Sequence, residues 1–259
     1  MTKGKGMSSL DRKRRGHSRY YAYFILALVL LTFIGGGVYY LLRSLSIFDV
    51  RNIEVSGNHA VSDSMIQHIT QKYLGQNLIA VSSRQLKKDV LSLSRVKGVI
   101  VKKKLMHTLS IAIVERMGAI YVKSMEGDLF PVDEDAIVLT GYGKVYSEDL
   151  PVMSTFFSSK QLKPGIKLKS KELTKVLAFH KRLSHEASDF LPRVSEYYVV
   201  DNTIYMIDAN TGMRIIPGDE DLSAQLRRYI FVLENGNIGN HKLLDLRYNK
   251  QVVVKADTQ

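Results

Sequence analysis

Between positions 20 and 42 no side chain carries a charge, and no other feature of the chain restricts its fold so sharply. At a helical rise of roughly 1.5 Å per residue, a run of about 23 residues covers a hydrocarbon core about 30 Å thick. In hydrocarbon each backbone N–H and C=O must be satisfied within the protein, so a lone segment crosses as a helix. Tyr20, Tyr21 and Tyr23 stand at one end and Tyr39 and Tyr40 at the other, where amphipathic rings suit the two water interfaces. Arg43 closes the run. The triplet Gly35, Gly36 and Gly37 either lets another helix approach closely or is a flexible lipid-facing stretch, and the sequence leaves both readings open.

Charge orients the span. Lys3, Lys5, Arg12, Lys13, Arg14, Arg15 and Arg19 precede it against one acid, Asp11, which places this end in the cytoplasm by the positive-inside rule. The expected organisation is a cytoplasmic basic tail at residues 1–19, a transmembrane helix at 20–42, and the remainder outside the cytoplasm. A cleaved signal peptide would have a shorter apolar core, of about 7–15 residues, followed by a small-x-small site; neither condition is met. The formal charge of +12 over 259 residues is compatible with nucleic-acid binding, but the 12–15 cluster reads as the topology signal, and the compartment argues against nucleic acid. With no cysteine, disulfides, thiolate metal sites and cysteine nucleophiles are excluded.

Beyond the span, Phe48, Val50, Ile53 and Val55 predict a short strand with a register break, ended by the turn residues Ser56, Gly57 and Asn58. Ser62 reads as a helix N-cap, Met65, Ile66, Ile69 and Tyr73 as one helical face, and Gly75 as a C-terminal stop. Ser83 reads as the cap of a second helix with Leu86, Val90 and Leu93 as its buried stripe. Val99 and Val101 then alternate with polar neighbours up to Lys104, and Leu109, Ile111 and Ile113 alternate up to Glu115. The order β-α-α-β-β is that of a POTRA domain, a small sheet backed by two helices.

The residues resemble the bacterial cell-division family FtsQ/DivIB. Its first-strand pattern F-x-V-x-x-I-x-V-x-G-N is matched by Phe48, Val50, Ile53, Val55, Gly57 and Asn58, and its hairpin pattern by Val99, Val101, Lys103, Thr108, Leu109, Ile111, Ile113, Glu115 and Arg116. The chain departs from it in two connections, where Met106 and Gly118 stand in place of the usual prolines. Further on, Leu150, Pro151 and Val152 resemble the family's L-P-x segment, and Asp245, Leu246, Arg247 and Tyr248 its D-L-R-Y signature.

The second module begins as short predicted strands at residues 119–123, 129–132 and 136–139, with a turn at Gly127 and Asp128. Lys163, Pro164 and Gly165 predict another turn; Ser170 caps a helix whose buried face carries Leu173, Val176, Leu177, His180 and Leu183. Strands are predicted at 194–200, 204–207 and 213–216, joined by hairpin-type turns at Asp201 and Asn202 and at 210–212. Asp219 is the expected cap of a helix with Leu222, Leu226, Tyr229, Ile230 and Leu233 buried and Asn235 and Gly236 as its stop. Strands at 242–248 and 251–255 complete the module. The expected class is therefore α+β: a transmembrane helix, a POTRA domain at 47–116, a mixed, mainly antiparallel β domain with flanking helices at 117–256, and a tail at 257–259.

Catalytic machinery is not visible. Ser94 and Lys97 fit S-x-x-K and Ser56 to Asn58 fits S-x-N, but in penicillin-recognising enzymes S-x-x-K comes first and a K-T-G strand follows, whereas no Lys-Thr-Gly occurs in this chain. The histidines beyond the span, His59, His68, His107, His180, His185 and His241, are scattered without an H-E-x-x-H pair. Asp133, Glu134 and Asp135 read as a solvated turn. No catalytic residue, cofactor or metal ligand is assigned, and a small-molecule substrate is not expected. The basic residues Arg84, Lys87, Lys88, Arg95, Lys97 and Lys102 to Lys104 read as a solvated face or as a surface toward anionic headgroups or acidic partners.

The expected function is binding. Exposed sheet edges accept extended partner segments as additional strands. The resemblance implies that the last strand receives an FtsB-like division protein, itself paired with an FtsL-like one, at Arg247, Tyr248, Gln251, Val252, Val253 and Val254. It implies a weaker second contact at Val101 and Lys103 for other divisome membrane proteins. The whole is expected to be a single-pass inner-membrane scaffold with its bulk in the periplasm, at the septum. The rival readings are a POTRA protein of envelope assembly and an anchored peptidoglycan-processing enzyme; the first would fractionate with the outer membrane, and the second would turn over peptidoglycan fragments through Ser94.

Overall fold

The computed structural model describes residues 9–104, 107–141, 149–236, 238 and 243–255. Met106, His241 and Lys242, residues 1–8 of the expected tail and residues 256–259 lie outside them. The chain divides into two compact units, one of Met1–Glu54, Thr70–Leu86 and Val101–Ile111, the other of Val55–Ile69, Lys87–Ile100 and Ala112–Gln259.

Helix α1 runs over Ser9–Ser44, so the helical backbone continues back into the basic segment expected as a tail. Within it Tyr20–Ser44 is long and apolar enough to cross a membrane; its 18-residue apolar window has a mean hydropathy of 2.2 and is not buried by the rest of the protein. Its apolar side chains, such as Leu31 and Phe33, are exposed; a surface of this kind requires an apolar surrounding.

After a 3-10 turn at Ser46–Phe48 come β1 (Asn52–Ser56), α2 (Asp63–Thr70), α3 (Ser83–Val90), β2 (Val96–Lys104) and β3 (Thr108–Glu115). The sheet order is β1-β3-β2, and β-α-α-β-β is the expected sequence of elements. Several local readings change. The first strand starts at Asn52 rather than at Phe48, because Val50 directs its backbone to a loop: its N–H donates to Gln76 O at 2.9 Å and its carbonyl accepts from Gly75 N–H at 2.9 Å. Val50 is buried, but not as a strand residue. Met65 is exposed while Ile66 and Tyr73 are buried, and α2 gives way to a 3-10 turn at Gln71–Tyr73. The cap of α3 is Ser82, whose hydroxyl accepts from Gln85 N–H at 3.3 Å, not Ser83. Gly57 has φ +81°, and a Cβ there would meet Ile113 O at 2.3 Å, so the turn after β1 requires glycine.

The remaining elements are β4 (Ile120–Lys123), β5 (Leu129–Val132), β6 (Val152–Ser154), α4 (Lys171–Glu186), β7 (Val194–Val200), β8 (Thr203–Asp208), β9 (Arg214–Ile216), α5 (Leu222–Asn235), β10 (Leu243–Asp245) and β11 (Val253–Lys255). They form one eight-stranded sheet in the order β11-β10-β9-β8-β7-β6-β4-β5. Hairpins make β4–β5, β7–β8, β8–β9 and β10–β11 antiparallel. Parallel pairs need a crossover, and both helices serve as one: α4 joins the parallel β6 and β7, and α5 joins the parallel β9 and β10. One core is shared by strand residues Ile120, Val122, Met153, Tyr197, Met206, Ile215 and Leu244 and helix residues Leu173, Val176, Leu183, Leu222, Leu226 and Tyr229.

Ser170 caps α4 as expected, accepting from Leu173 N–H at 3.2 Å. The α5 cap is Asp221, accepting from Ala224 N–H at 3.0 Å, instead of Asp219. Asp201 and Asn202 both have positive φ, 45° and 61°, as a two-residue type I′ hairpin demands. Residues 136–139 make no strand, only the bridges Val132↔Val138 and Ile137↔Lys167. The cause is Asp133. This carboxylate, expected in solvent, is 4% exposed and accepts from the N–H groups of Asp135 and Ile137 at 3.0 and 2.8 Å, closing a turn in which Ala136 has φ 64°. Arg116, in the same segment of the second unit, pairs with it.

Candidate partner-binding edges

The end of the chain is shaped by one buried carboxylate. Asp245 is the last residue of β10 and is 0% exposed. In the antiparallel ladder it faces Val253, so Lys255, two residues on, lies diagonally on the same face; its ammonium donates to Asp245 at 2.8 Å. Arg247 donates through Nε at 2.9 Å, through Nη2 at 2.7 Å and through its backbone N–H at 3.2 Å. Burial alone would push the Asp245 carboxyl up, but the hydrogen bonds from Arg247 and Lys255 outweigh it and hold the group at about 2. The same bonds raise the Arg247 and Lys255 cations above their ordinary values. Both of these side chains remain partly in water, 46% and 39% exposed.

These bonds explain why the two terminal strands are shorter than expected. Asp245 holds the Arg247 N–H, so the chain leaves the β10 ladder there; Gln251 N–H then donates to Tyr248 O at 3.2 Å and Lys250 adopts φ 57°. Residues 246–252 are thus a connection, not strand. Of the residues expected to bind a partner, Arg247, Tyr248 and Gln251 sit exposed in this connection, and Val252 packs against the core. Val253 is half-buried and Val254 is 37% exposed, both in β11. The alternate valines are therefore divided between core and surface. β11 is the terminal strand of the sheet, with β10 on its inner side.

The weaker expected contact also lies on an edge. β2 is the outer strand of its sheet, with Val101 half-buried and Lys103 exposed. Of the basic residues around it, Arg84, Lys87, Lys88, Lys97 and Lys102 to Lys104 are exposed, but Arg95 is 2% exposed and donates through Nε to Thr140 O at 2.7 Å. Ser94, the serine of the S-x-x-K match, accepts from Thr140 N–H at 3.0 Å, and Lys97 lies 3.7 Å from Asp135. His180 is buried in α4 against the Tyr197 hydroxyl at 3.1 Å, and burial holds its imidazole below the ordinary value against the opposing charge of Glu134. No cluster of three or more metal-ligating side chains occurs among the described residues.

Asp245 and Lys255 organise the edge, although the sequence shows the first only as part of the D-L-R-Y signature and the second only as the end of the last strand. The available signal was the D-x-R spacing with a lysine ten positions on, legible only once the two strands are known to pair. A second carboxylate of this kind is Glu115 of the hairpin motif, which accepts from the N–H groups of His59, Ala60 and Val61 at 2.9, 2.9 and 2.8 Å and so fixes the loop that enters α2.

A three-stranded sheet in the order β-α-α-β-β, following an apolar helix, defines the first module as a POTRA domain. Residues 48–116 match the family model of the POTRA domain, FtsQ-type, so this part of the chain is similar to the FtsQ-type POTRA domains, and the likeness to FtsQ/DivIB drawn from its motifs is supported. No curated protein matches the chain.

Proposed function

We propose that the protein is a bitopic, non-enzymatic scaffold of the bacterial divisome, with 47–116 as its POTRA module and 117–256 as its β domain. It is anchored in the inner membrane at the septum and carries its bulk in the periplasm. An FtsB/FtsL-like pair binds by adding an extended segment to β11, and this controls septal wall synthesis. The observation that carries this reading is the terminal place of β11 in an eight-stranded sheet, with Tyr248 48% exposed beside it. Main-chain hydrogen bonds along the free side of β11 supply affinity, and Tyr248 is the side-chain anchor. The β2 edge around Val101 and Lys103 takes a further division protein by the same physics.

The test is binding of the full chain, in detergent or nanodiscs, to the FtsB/FtsL-like pair of the same organism. Tyr248→Ala weakens binding about tenfold or more if the ring is an anchor of the hot-spot kind. A well-folded wild-type chain that does not bind the pair removes the proposal.

A further inference from the structure

The exit of the span is tied to the POTRA module by one side chain. Asn77 Nδ2 donates to the carbonyls of Leu42 and Leu45 at 3.3 and 3.1 Å; the first is an acceptor that the end of a helix leaves without an intrahelical partner, and the second also accepts from Phe48 N–H at 3.2 Å. Its Oδ1 accepts from Ile79 N–H at 3.0 Å, and Lys103 Nζ reaches Ile79 O at 3.3 Å. Leu78 N–H donates to Phe48 O at 2.7 Å, a second strap across the same point. Span, 70–86 loop and 101–111 segment accordingly belong to one compact unit.

Depth follows from length. The apolar segment Tyr20–Ser44 has 25 residues, which at roughly 1.5 Å each exceeds a hydrocarbon core about 30 Å thick by several residues. With Tyr39 and Tyr40 at the interface, Arg43 and the carbonyls held by Asn77 stand at the level of the lipid headgroups. Leu45 and Ile47, 42% and 56% exposed, lie at this level beside the cations Arg43 and Lys103. Apolar side chains with cations beside them suit an anionic bilayer surface, into which apolar groups insert while cations pair with phosphate; Asp49, half-buried and bridged to Asn77, is the opposing charge at this point.

We propose that Arg43, Leu45, Ile47, Ile79 and Lys103, gathered around Asn77, form a collar that seats the POTRA module on the anionic headgroups of the leaflet where the span exits. The collar makes the seating on the bilayer of the unit that contains it a property of that unit's fold, with Asn77 as the latch. It rests on the reading of residues 20–44 as a membrane span.

The absence of cysteine allows a single nitroxide label at any chosen position. The full chain is reconstituted in bilayers containing phosphatidylglycerol and in bilayers of phosphatidylcholine alone, with labels at Ile79→Cys, at Phe33→Cys in the span, and at Phe156→Cys, which is 95% exposed in the second unit. Relative accessibility to oxygen and to a water-soluble nickel chelate reports depth. The expected result is hydrocarbon depth at position 33, headgroup depth at 79 in the anionic bilayer, and an aqueous position at 156. Lys103→Glu should lower the headgroup-seated fraction more than about fivefold, fivefold being the effect of losing one juxtamembrane cation at about 1 kcal/mol. Asn77→Asp keeps the acceptor for Ile79 N–H but loses the donor to the helix, and should release the label at 79 into water. An aqueous label at 79 with a buried label at 33 overturns the collar alone, as does seating that ignores both lipid charge and Lys103→Glu; an aqueous label at 33 overturns the span on which it rests.

Discussion

Asp245→Asn isolates the interaction that holds the last strand in place. The substitution keeps the shape of a fully buried side chain and removes the charge that accepts from Arg247 and Lys255. In the folded chain the carboxyl is depressed from 3.8 to about 2, which at about 1.36 kcal/mol per pH unit amounts to ~2.4 kcal/mol. Both cations are partly exposed, 46% and 39%, so solvent screening reduces this to about 1 kcal/mol. A depressed folded-state value means stabilisation that is fully present above the unfolded value near 3.8 and is lost as pH falls through about 2. Calorimetry on the detergent-solubilised wild type and variant from pH 7 to pH 2 should give a difference in Tm of about 2–4 °C at pH 7, most of it gone by pH 2, where the wild-type carboxyl is itself taking up its proton. A difference that persists unchanged at pH 2, or is absent at pH 7, refutes the assignment. The same variant should bind the FtsB/FtsL-like pair more weakly at pH 7, because a loosened β11 must be ordered before it can template another strand.

Other perturbations separate folding from binding. Tyr248→Ala should leave the unfolding transition within about 0.5 kcal/mol of wild type, as for other exposed positions away from the core, while weakening partner binding; a large loss of stability would make Tyr248 a structural residue. Gly57→Ala combines positive φ with a Cβ placed 2.3 Å from Ile113 O and should destabilise the POTRA module by about 2 kcal/mol or more, read by denaturant unfolding; a neutral outcome would mean that the turn after β1 relaxes freely. Glu115→Gln replaces charge-assisted acceptance from three N–H groups with a neutral carbonyl and should cost about 1–2 kcal/mol, with faster hydrogen exchange at His59 to Val61 as its local signature.

Legibility in the sequence follows the range of the forces involved. The span is plain because a bilayer admits one solution to backbone hydrogen bonding and imposes its own length. Helix α4 is plain because Ser170 and the buried residues Leu173, Val176, Leu177, His180 and Leu183 are all local to it, and β5 and β7 match their expected bounds because positive-φ residues mark a neighbouring turn, Gly127 before β5 and Asp201 and Asn202 after β7. The failures share one cause, a side chain or backbone group engaged by a partner distant in sequence or by a competing carboxylate. Val50 alternates like a strand residue but bonds the 75–76 loop. Residues 136–139 are apolar enough for a strand, yet Asp133 takes the Ile137 amide that a ladder would need, together with that of Asp135 just before the segment. Arg95 counts as surface charge until Thr140 O draws it inside.

The candidate edge shows the same division in another form. The residues of the D-L-R-Y signature are legible, and so is a final β segment, but an edge is a property of strand order, which no local pattern encodes. Here order follows from connection length. Helix α5 is long enough to return the chain parallel to β9, so β10 is laid outside β9, and the short connection at 246–252 turns β11 back antiparallel outside β10. With β9 and β11 on its two sides β10 is saturated, and the unpaired N–H and C=O groups pass to β11. A strand of three residues, Val253–Lys255, is too short to be a strong template for indiscriminate pairing. Under the proposed strand addition, main-chain bonds there need side-chain support, which Tyr248 and the cations that Asp245 holds in position would supply; Asp245, legible in the sequence only as the first letter of its signature, positions the edge through those cations.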